Sequence, residues 1–581
     1  MASFGKKRVV IIGAGVGGTA TAAYLAQMGH EVLVLEKNDF VGGRCSLIHN
    51  NGHRFDQGPS FYLMPEVFEE AFRDLGEDVR DHVKLHQCKP NYRVYYHDGE
   101  IIELSSDMTH MKQVLEKYEI PAGNPQPFKK FLEFMHEAHD HYEVSVRDVL
   151  KKDYQHWYQT FRLRWISKAI KMKIHRTLYP YMSQFFKSDH IRRAVTFASM
   201  YLGMSPFDAP ATYNLLQYTE YAQSIWYPEG GFATVPMAFM NIAQKKFDAK
   251  FRFNAPISKI RIGITGKVEG VELESGEFIA ADAVVSNADL VYTYDKLLPP
   301  TRYAKSLTKK EFTCSSISFY WSLSRQLPEM DAHNLFIAEK YRESFDQIFL
   351  DHTIPDDPSF YVHTPSRVDP SAAPPGKDTL VVLIPTGTVK IRKETWEQDR
   401  AKYQETIKFA RKMAIETIEK RTGIKNLESL IEAELYNDPW AWNEKFNLFS
   451  GSILGLSHTI RQVLWFRPSI THSKYNNMFF VGASAHPGTG VPVVVCGSKI
   501  TAQHVNAYLT GVPIVDYAKY EAMFVLLVLS MLLLSLIVWV LGGTAASCVI
   551  ENVAKALNVS IPVPVKQVWA TWATTGWHAE L

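Results

Sequence analysis

The chain is predicted to be an α/β protein with three parts: a Rossmann-type nucleotide-binding lobe, an α+β lobe interleaved with it, and a transmembrane helix near the C-terminus. Three observations predict this. A strand, a glycine loop, a helix and a second strand open the chain; further strands of the same kind return in its middle and near its end; and residues 522–541 form an uncharged run rich in Leu and Val.

The opening unit carries the most information. Residues 8–12 read as a buried strand, 19–28 have helical periodicity, and 31–35 form a second apolar strand. Between the first strand and the helix, Gly13-Ala14-Gly15-Val16-Gly17-Gly18 fits GxGxxG in the context that motif requires. Gly13 permits the tight turn, Gly15 lets the backbone approach a pyrophosphate, and Gly18 lets helix and strand pack closely. The helix N-terminus offers its unpaired N–H groups to the anion. Glu36 closes the second strand, where a carboxylate accepts hydrogen bonds from ribose hydroxyls. These residues do not separate FAD from NAD.

Residues 267–273 and 278–286 read as two strands joined through Glu274-Ser275-Gly276. A last strand, 478–481, runs into a glycine-rich loop and then a helix over 497–509. The nucleotide lobe is therefore expected to be discontinuous, over 1–85, 225–300 and 465–512. The second lobe takes 86–224 and 301–464, with helices over 127–141 and 395–421, and 513–581 form a tail.

Composition excludes several classes. With 63 Lys and Arg against 61 Asp and Glu, the chain has no global field to draw nucleic acid. Its five cysteines lack CxxC spacing, and no Cys cluster or paired-carboxylate spacing argues for a metal, so none is expected; a reducing compartment is the plain reading. Only seven residues precede the first strand, too few for a signal peptide. Lys519 before the apolar run, with Glu551 and Lys555 after it, favours a cytosolic body on a single membrane pass.

Two further motifs carry a resemblance. Val41-Gly42-Gly43-Arg44 follows the acid, and Phe55-Asp56-Gln57-Gly58-Pro59-Ser60 comes shortly after. Here the sequence resembles the flavin-containing amine oxidase and carotenoid desaturase superfamily. Phe479 to Pro492, with Gly482, Ala483, Gly488, Gly490, Val491 and Pro492, is similar to the C-terminal signature of the phytoene desaturases, and Trp226-Tyr227-Pro228-Glu229-Gly230-Gly231 to their internal motif. The likeness covers residues 8–509, and the long chain with its hydrophobic tail looks most like the fungal enzymes.

The resemblance implies non-covalent FAD. Gly43 and Arg44 would lie beside its phosphates, Gly58, Pro59 and Ser60 would approach the flavin, and the 482–492 loop would cover it. Cys496, after that loop, lacks the small-residue context of enzymes that attach flavin through cysteine, and is read as a buried thiol. The resemblance further implies phytoene as substrate and lycopene as principal product, through partly desaturated intermediates, each step removing a hydride and a proton. It permits a quinone or oxygen as electron acceptor. A carotenoid isomerase of the same superfamily and a prenyl-binding escort protein without catalysis are the competing readings.

No general base stands out. Asp189 and Arg192, three apart at the start of a helix, are candidates to flank the polyene, and His486 beside the flavin loop is another. The aromatic and Met-rich stretch 197–240 could line an apolar tunnel. An insoluble substrate requires contact with a lipid membrane, expected here to be the endoplasmic reticulum. Between 151 and 193, eleven Lys and Arg stand against two Asp, interleaved with Tyr154, Trp157, Tyr158, Phe161 and Trp165, while Leu163, Ile166, Ile170 and Ile174 share one helical face. Such a segment suits an anionic lipid surface. Oligomeric state is not legible.

Overall fold

Alternation along Arg8–Ile12 sends Val9 and Ile11 into one hydrophobic core and Val10 and Ile12 into another, because successive side chains of a strand point to opposite faces. A strand covered on both faces is central in a sheet, and this one lies between Glu31–Leu35 and Ala283–Ser286. Lys250–Arg252 and Met478–Phe480 complete five parallel strands, in the order 478–480, 283–286, 8–12, 31–35, 250–252. The computed structural model describes residues 6–160, 163–392 and 394–541.

On one face of this sheet the helix Val16–Gln27 packs with the helices Thr234–Phe247 and Val491–Thr510. Ala20, Ala23, Val34, Phe239 and Val505 are buried there. On the other face lies a three-stranded antiparallel sheet, Ile257–Ile262, Val268–Leu273 and Phe278–Ala280. The strand expected over 278–286 is thus two. Asp282 ends the hairpin by donating its N–H to the Arg8 carbonyl and accepting the Arg8 N–H on its carboxylate, which hands the chain to the parallel sheet. The last helix begins at Val491, earlier than the periodicity predicts, because Pro492 sits in the first turn, where a missing N–H costs nothing.

A second sheet of seven strands runs in the order 431–437, 315–323, 379–386, 360–363, 333–336, 92–95, 101–104. Its pairings are antiparallel except for that of His333–Phe336 with Tyr92–Tyr95. Ser315–Leu323 is buried at every position. Ile407, Ala410, Ala414 and Ile418 of the helix Trp396–Thr422 close one face over Phe319 and Trp321. A largely helical cluster around Phe131, Phe134, Phe186 and Val195 packs on Tyr92 and Val94.

Within the basic segment, Phe161 and Arg162 lie outside the described residues. Leu163–Lys171 is helical, with Lys168 paired to Asp148 and Lys171 to Asp140, and Ile170 is 60% exposed. The cation count therefore overstates the free positive charge.

Of the described residues, 156–160 and 515–541 group as a separate unit. In it, the Tyr158 hydroxyl donates to Asp516 at 2.9 Å, and Tyr517–Leu541 is one helix with Phe524, Leu529 and Leu532 exposed. Side chains at 534, 535 and 537–541 and all of 542–581, including Cys548, Glu551 and Lys555, lie outside the described residues. Among the described residues no helix is long and apolar enough to cross a membrane, so the transmembrane part of the expected fold is not supported there. The unbroken stretch of described side chains after Glu521 ends at Leu533, about 18 Å of helix against a hydrocarbon core of about 30 Å.

Candidate active site

A cavity of about 510 Å³ opens where the C-terminal ends of the parallel strands meet the second sheet, within the usual range for small-molecule sites of about 300–1,000 Å³. Its nucleotide end is built from the first strand–helix turn. Gly13 holds φ at +92°, a conformation open to glycine, and its N–H bonds the Leu35 carbonyl at 2.7 Å. The helix starting at Val16 has no side-chain cap at Gly15, and Gly15, Val16 and Gly17 line the cavity. A Cβ on Gly43 would stand 3.4 Å from the Gly15 Cα, so these two glycines keep the mouth of the turn clear.

Ala14 and Gly18 do not line the cavity; they hold its wall. The Ala14 N–H donates to Glu36 Oε2 at 2.8 Å, while Glu36 Oε1 accepts from the Asn38 N–H at 2.9 Å. The carboxylate is thus fixed at the end of the second strand with its edge in the cavity. A Cβ on Gly18 would lie 2.0 Å from the Gly13 carbonyl, which makes this glycine a packing requirement.

Arg44 sits on the turn Gly43–Cys45 and donates to the Ile453 carbonyl. Burial pulls its pKa down. Beside it, burial pushes Asp289 up to about 6, against the opposing effects of the Tyr292 N–H and Arg44. A Cβ on Gly58 would meet the Arg44 carbonyl at 2.5 Å, so the Gly58, Pro59, Ser60 turn reaches the cavity through close backbone packing. Ser60 Oγ bonds the Tyr361 hydroxyl at 2.8 Å.

Of the C-terminal loop, Gly482, Ala483, Gly490, Val491 and Pro492 line the cavity and Gly488 does not. Gly488 packs on the His458 ring, whose Nε2 accepts the Thr489 N–H at 3.0 Å. The loop is held from behind by Arg467, buried, with hydrogen bonds to the carbonyls of Ala483, Ala485, Leu456, Ser457 and Gln462. Nothing in the sequence marks Arg467 for this role. Asn287, Asp289 and Tyr361 were equally missed; a polar residue just past the strand ending at Ser286 was the one available signal for Asn287.

None of the three expected catalytic residues lines the cavity. Asp189 accepts from the Tyr179 hydroxyl and pairs with Arg192 at 3.2 Å and Arg193 at 2.6 Å, with its side chain 42% exposed. Burial raises its pKa, but the Tyr179 bond and the two arginines outweigh this and leave it below the usual carboxylate range, a weak base. The helix turns the pair outward because Ile191, Ala194 and Val195 take its buried face. His486 is buried behind the loop, its Nε2–H donating to the Lys152 carbonyl at 2.7 Å, and burial pulls its pKa down. Of residues 197–240, Phe197, Met200, Tyr201, Leu202 and Leu216 reach the cavity. Cys496 lines a separate, smaller cavity with Glu70, Asp74, Lys151 and Lys499, away from the loop that would cover a flavin. Among the described residues no cluster of His, Cys, Asp and Glu could hold a metal.

The cradle fits FAD: an uncapped helix N-terminus and the Arg44 guanidinium for pyrophosphate, Glu36 for ribose, and two backbone turns, Gly58–Ser60 and 482–492, for a flat ring. A family model described as flavin containing amine oxidoreductase matches residues 16–506. The phytoene desaturase of Phycomyces blakesleeanus is 54% identical over 503 residues, spanning 86% of this chain and 85% of that protein. That of Fusarium fujikuroi is 49% identical over 514 residues, spanning 86% and 89%. An oxidoreductase structure from Methanosarcina mazei aligns with a TM-score of 0.54 at 15% identity, covering 85% of this chain and 100% of that one, a likeness of fold alone.

Fold and site define an FAD-dependent oxidoreductase. The chain belongs to the flavin containing amine oxidoreductase family, among its phytoene desaturases.

Proposed function

We propose that the chain desaturates phytoene in carotenoid biosynthesis, by successive removal of hydride and proton, with partly desaturated carotenoids as intermediates and lycopene as the end product. One observation carries the reading: the nucleotide cradle and an apolar end lined by Phe61, Leu63, Phe197, Met200 and Leu216 belong to the same cavity. A polyene chain needs no more than apolar walls to be held, and its reacting carbons must reach the ring end of the cofactor. FAD, when bound, supplies the two-electron acceptor. The chain's part is to place the substrate against Ser60 and Tyr361, to exclude water with the aromatic wall, and to take up the proton.

The substrate reaches this cavity from a lipid phase. We assign membrane contact to the exposed apolar residues of the helix Tyr517–Leu541, with the segment around Ile170 as a weaker, charge-assisted contact. The catalytic body is then cytosolic, on the endoplasmic reticulum, with a quinone or oxygen reoxidising the flavin. Anaerobic incubation of the purified holoprotein with phytoene liposomes tests the reading. Bleaching of the flavin together with desaturated products supports it; isomerised phytoene without bleaching would turn it into an isomerase.

A further inference from the structure

Two tyrosines line the aromatic end of the cavity, Tyr201 and Tyr361, each in ring contact with Phe61. What lies behind them differs. Tyr361 shares hydrogen bonds with Ser60 Oγ at 2.8 Å and His333 Nδ1 at 2.8 Å. His333 is buried and stacked on His363 at 4.9 Å, and burial, with His363 next to it, holds its pKa well below the ordinary range. An imidazole in that position stays neutral and cannot keep a proton.

Behind Tyr201 the order of donors is different. Its hydroxyl donates to the Tyr92 hydroxyl at 2.7 Å, and Tyr92 interacts electrostatically with the carboxyl of Glu220, whose Oε1 has no hydrogen-bond partner among the described residues. Tyr92 and Glu220 are each 2% exposed. A buried carboxylate with an unsatisfied oxygen is costly if its role is packing alone. Because Tyr201 gives its hydrogen to Tyr92, its oxygen keeps lone pairs able to accept a proton.

We propose that Tyr201 takes the proton released by the substrate and passes it through Tyr92 to Glu220, the terminal acceptor. The inference rests on the desaturase reading. In each step one substrate C–H bond breaks and its hydrogen leaves with both electrons to the oxidised flavin. The neighbouring C–H bond breaks and its electron pair becomes the new C=C bond. That proton bonds to the Tyr201 oxygen as the Tyr201 hydrogen moves to Tyr92 and the Tyr92 hydrogen to Glu220, which ends neutral. Tyr201 is the catalytic residue; Tyr92 and Glu220 act through it.

The titratable groups that face Glu220 are Tyr92 on its strand, Tyr201 on the turn Phe197–Leu202, and Tyr221 on its own helix, all held well above the ordinary tyrosine range by burial. The carboxyl is therefore the group of this set that titrates. Burial pushes it up to about 8, with Tyr92 acting the other way. Only ionised Glu220 accepts a proton, so a rate limited by proton loss rises with pH through that value.

The test uses FAD-loaded full-length protein with phytoene liposomes and two readouts. Infrared spectra of the holoprotein should show a carboxylic acid band that disappears as pH rises through about 8 and is missing from Glu220→Gln. Turnover in Glu220→Gln, and in Tyr201→Phe, should fall by about 100- to 10,000-fold with the rising limb lost and flavin content unchanged. Tyr92→Phe, which removes one hydroxyl and keeps the ring, breaks the same connection should Glu220→Gln not fold. Wild-type turnover and an unaltered pH profile in Tyr92→Phe or Glu220→Gln would overturn the relay. A wild-type holoprotein that keeps FAD yet leaves phytoene unchanged would instead overturn the desaturase reading beneath it.

Discussion

Asn287 accepts the N–H of Gly18 on its Oδ1 at 2.8 Å, tying the end of a mid-chain strand to the third glycine of the N-terminal turn. Its Nδ2 donates to the Val481 carbonyl at 3.1 Å. One amide thus joins three separate stretches of chain at the nucleotide end of the cavity. Replacement by Ala leaves a buried donor on Gly18 without a partner, a loss of about 1–3 kcal/mol. Asn287→Ala should melt earlier in the absence of FAD and bind FAD more weakly, as thermal denaturation and flavin fluorescence titration would show.

Glu36 holds the Ala14 N–H and lines the cavity, where it would accept the ribose hydroxyls of FAD. Glu36→Ala should weaken FAD by about 1.5–3 kcal/mol, the range for hydrogen bonds to a charged group. An unchanged dissociation constant would remove Glu36 from the binding site.

For Asp189 the structure alters the expectation. Asp189→Asn should turn over at close to the wild-type rate, since the residue lies outside the cavity. Its cost is stability: about 0.5–1 kcal/mol for a partly exposed carboxylate network. Because the folded carboxyl sits below its unfolded value, that stability is complete above the ordinary aspartate range and is lost as pH falls through the lowered value. Denaturant melts of variant and wild type should therefore differ at neutral pH and converge in acid. A slow but fully stable variant would return Asp189 to the active site.

Cavity-lining residues end at Val494, so a chain ending at Tyr520 should keep its flavin. If the helix Tyr517–Leu541 inserts into lipid, the full-length protein should resist a salt wash, while the truncated one should bind anionic liposomes weakly and release them as salt rises. Equal salt sensitivity of the two proteins would show that the helix does not insert.

The glycine turn, its flanking strands and Glu36 were legible in the sequence because what fixes them is local: glycine at a left-handed φ, an apolar alternation, a carboxylate ending a strand. Gly13 and Val9 to Ile12 behave as those rules require. The i,i+3 pairing of Asp189 with Arg192 was also local and is formed. Which way that helix faces was not local, since Ile191, Ala194 and Val195 bury one side against distant residues and leave the pair on the other, partly exposed side. Asn287 meets Gly18 across 269 residues and Tyr201 meets Tyr92 across 109. Sequence spacing holds no record of such meetings, because two sheets and the helices between them must close before those groups share a cavity. The glycine turn, its flanking strands and Glu36 were therefore set by short-range backbone geometry, whereas the rest of the cradle, the wall against the substrate, and with it the place of the proton acceptor, were decided by tertiary packing.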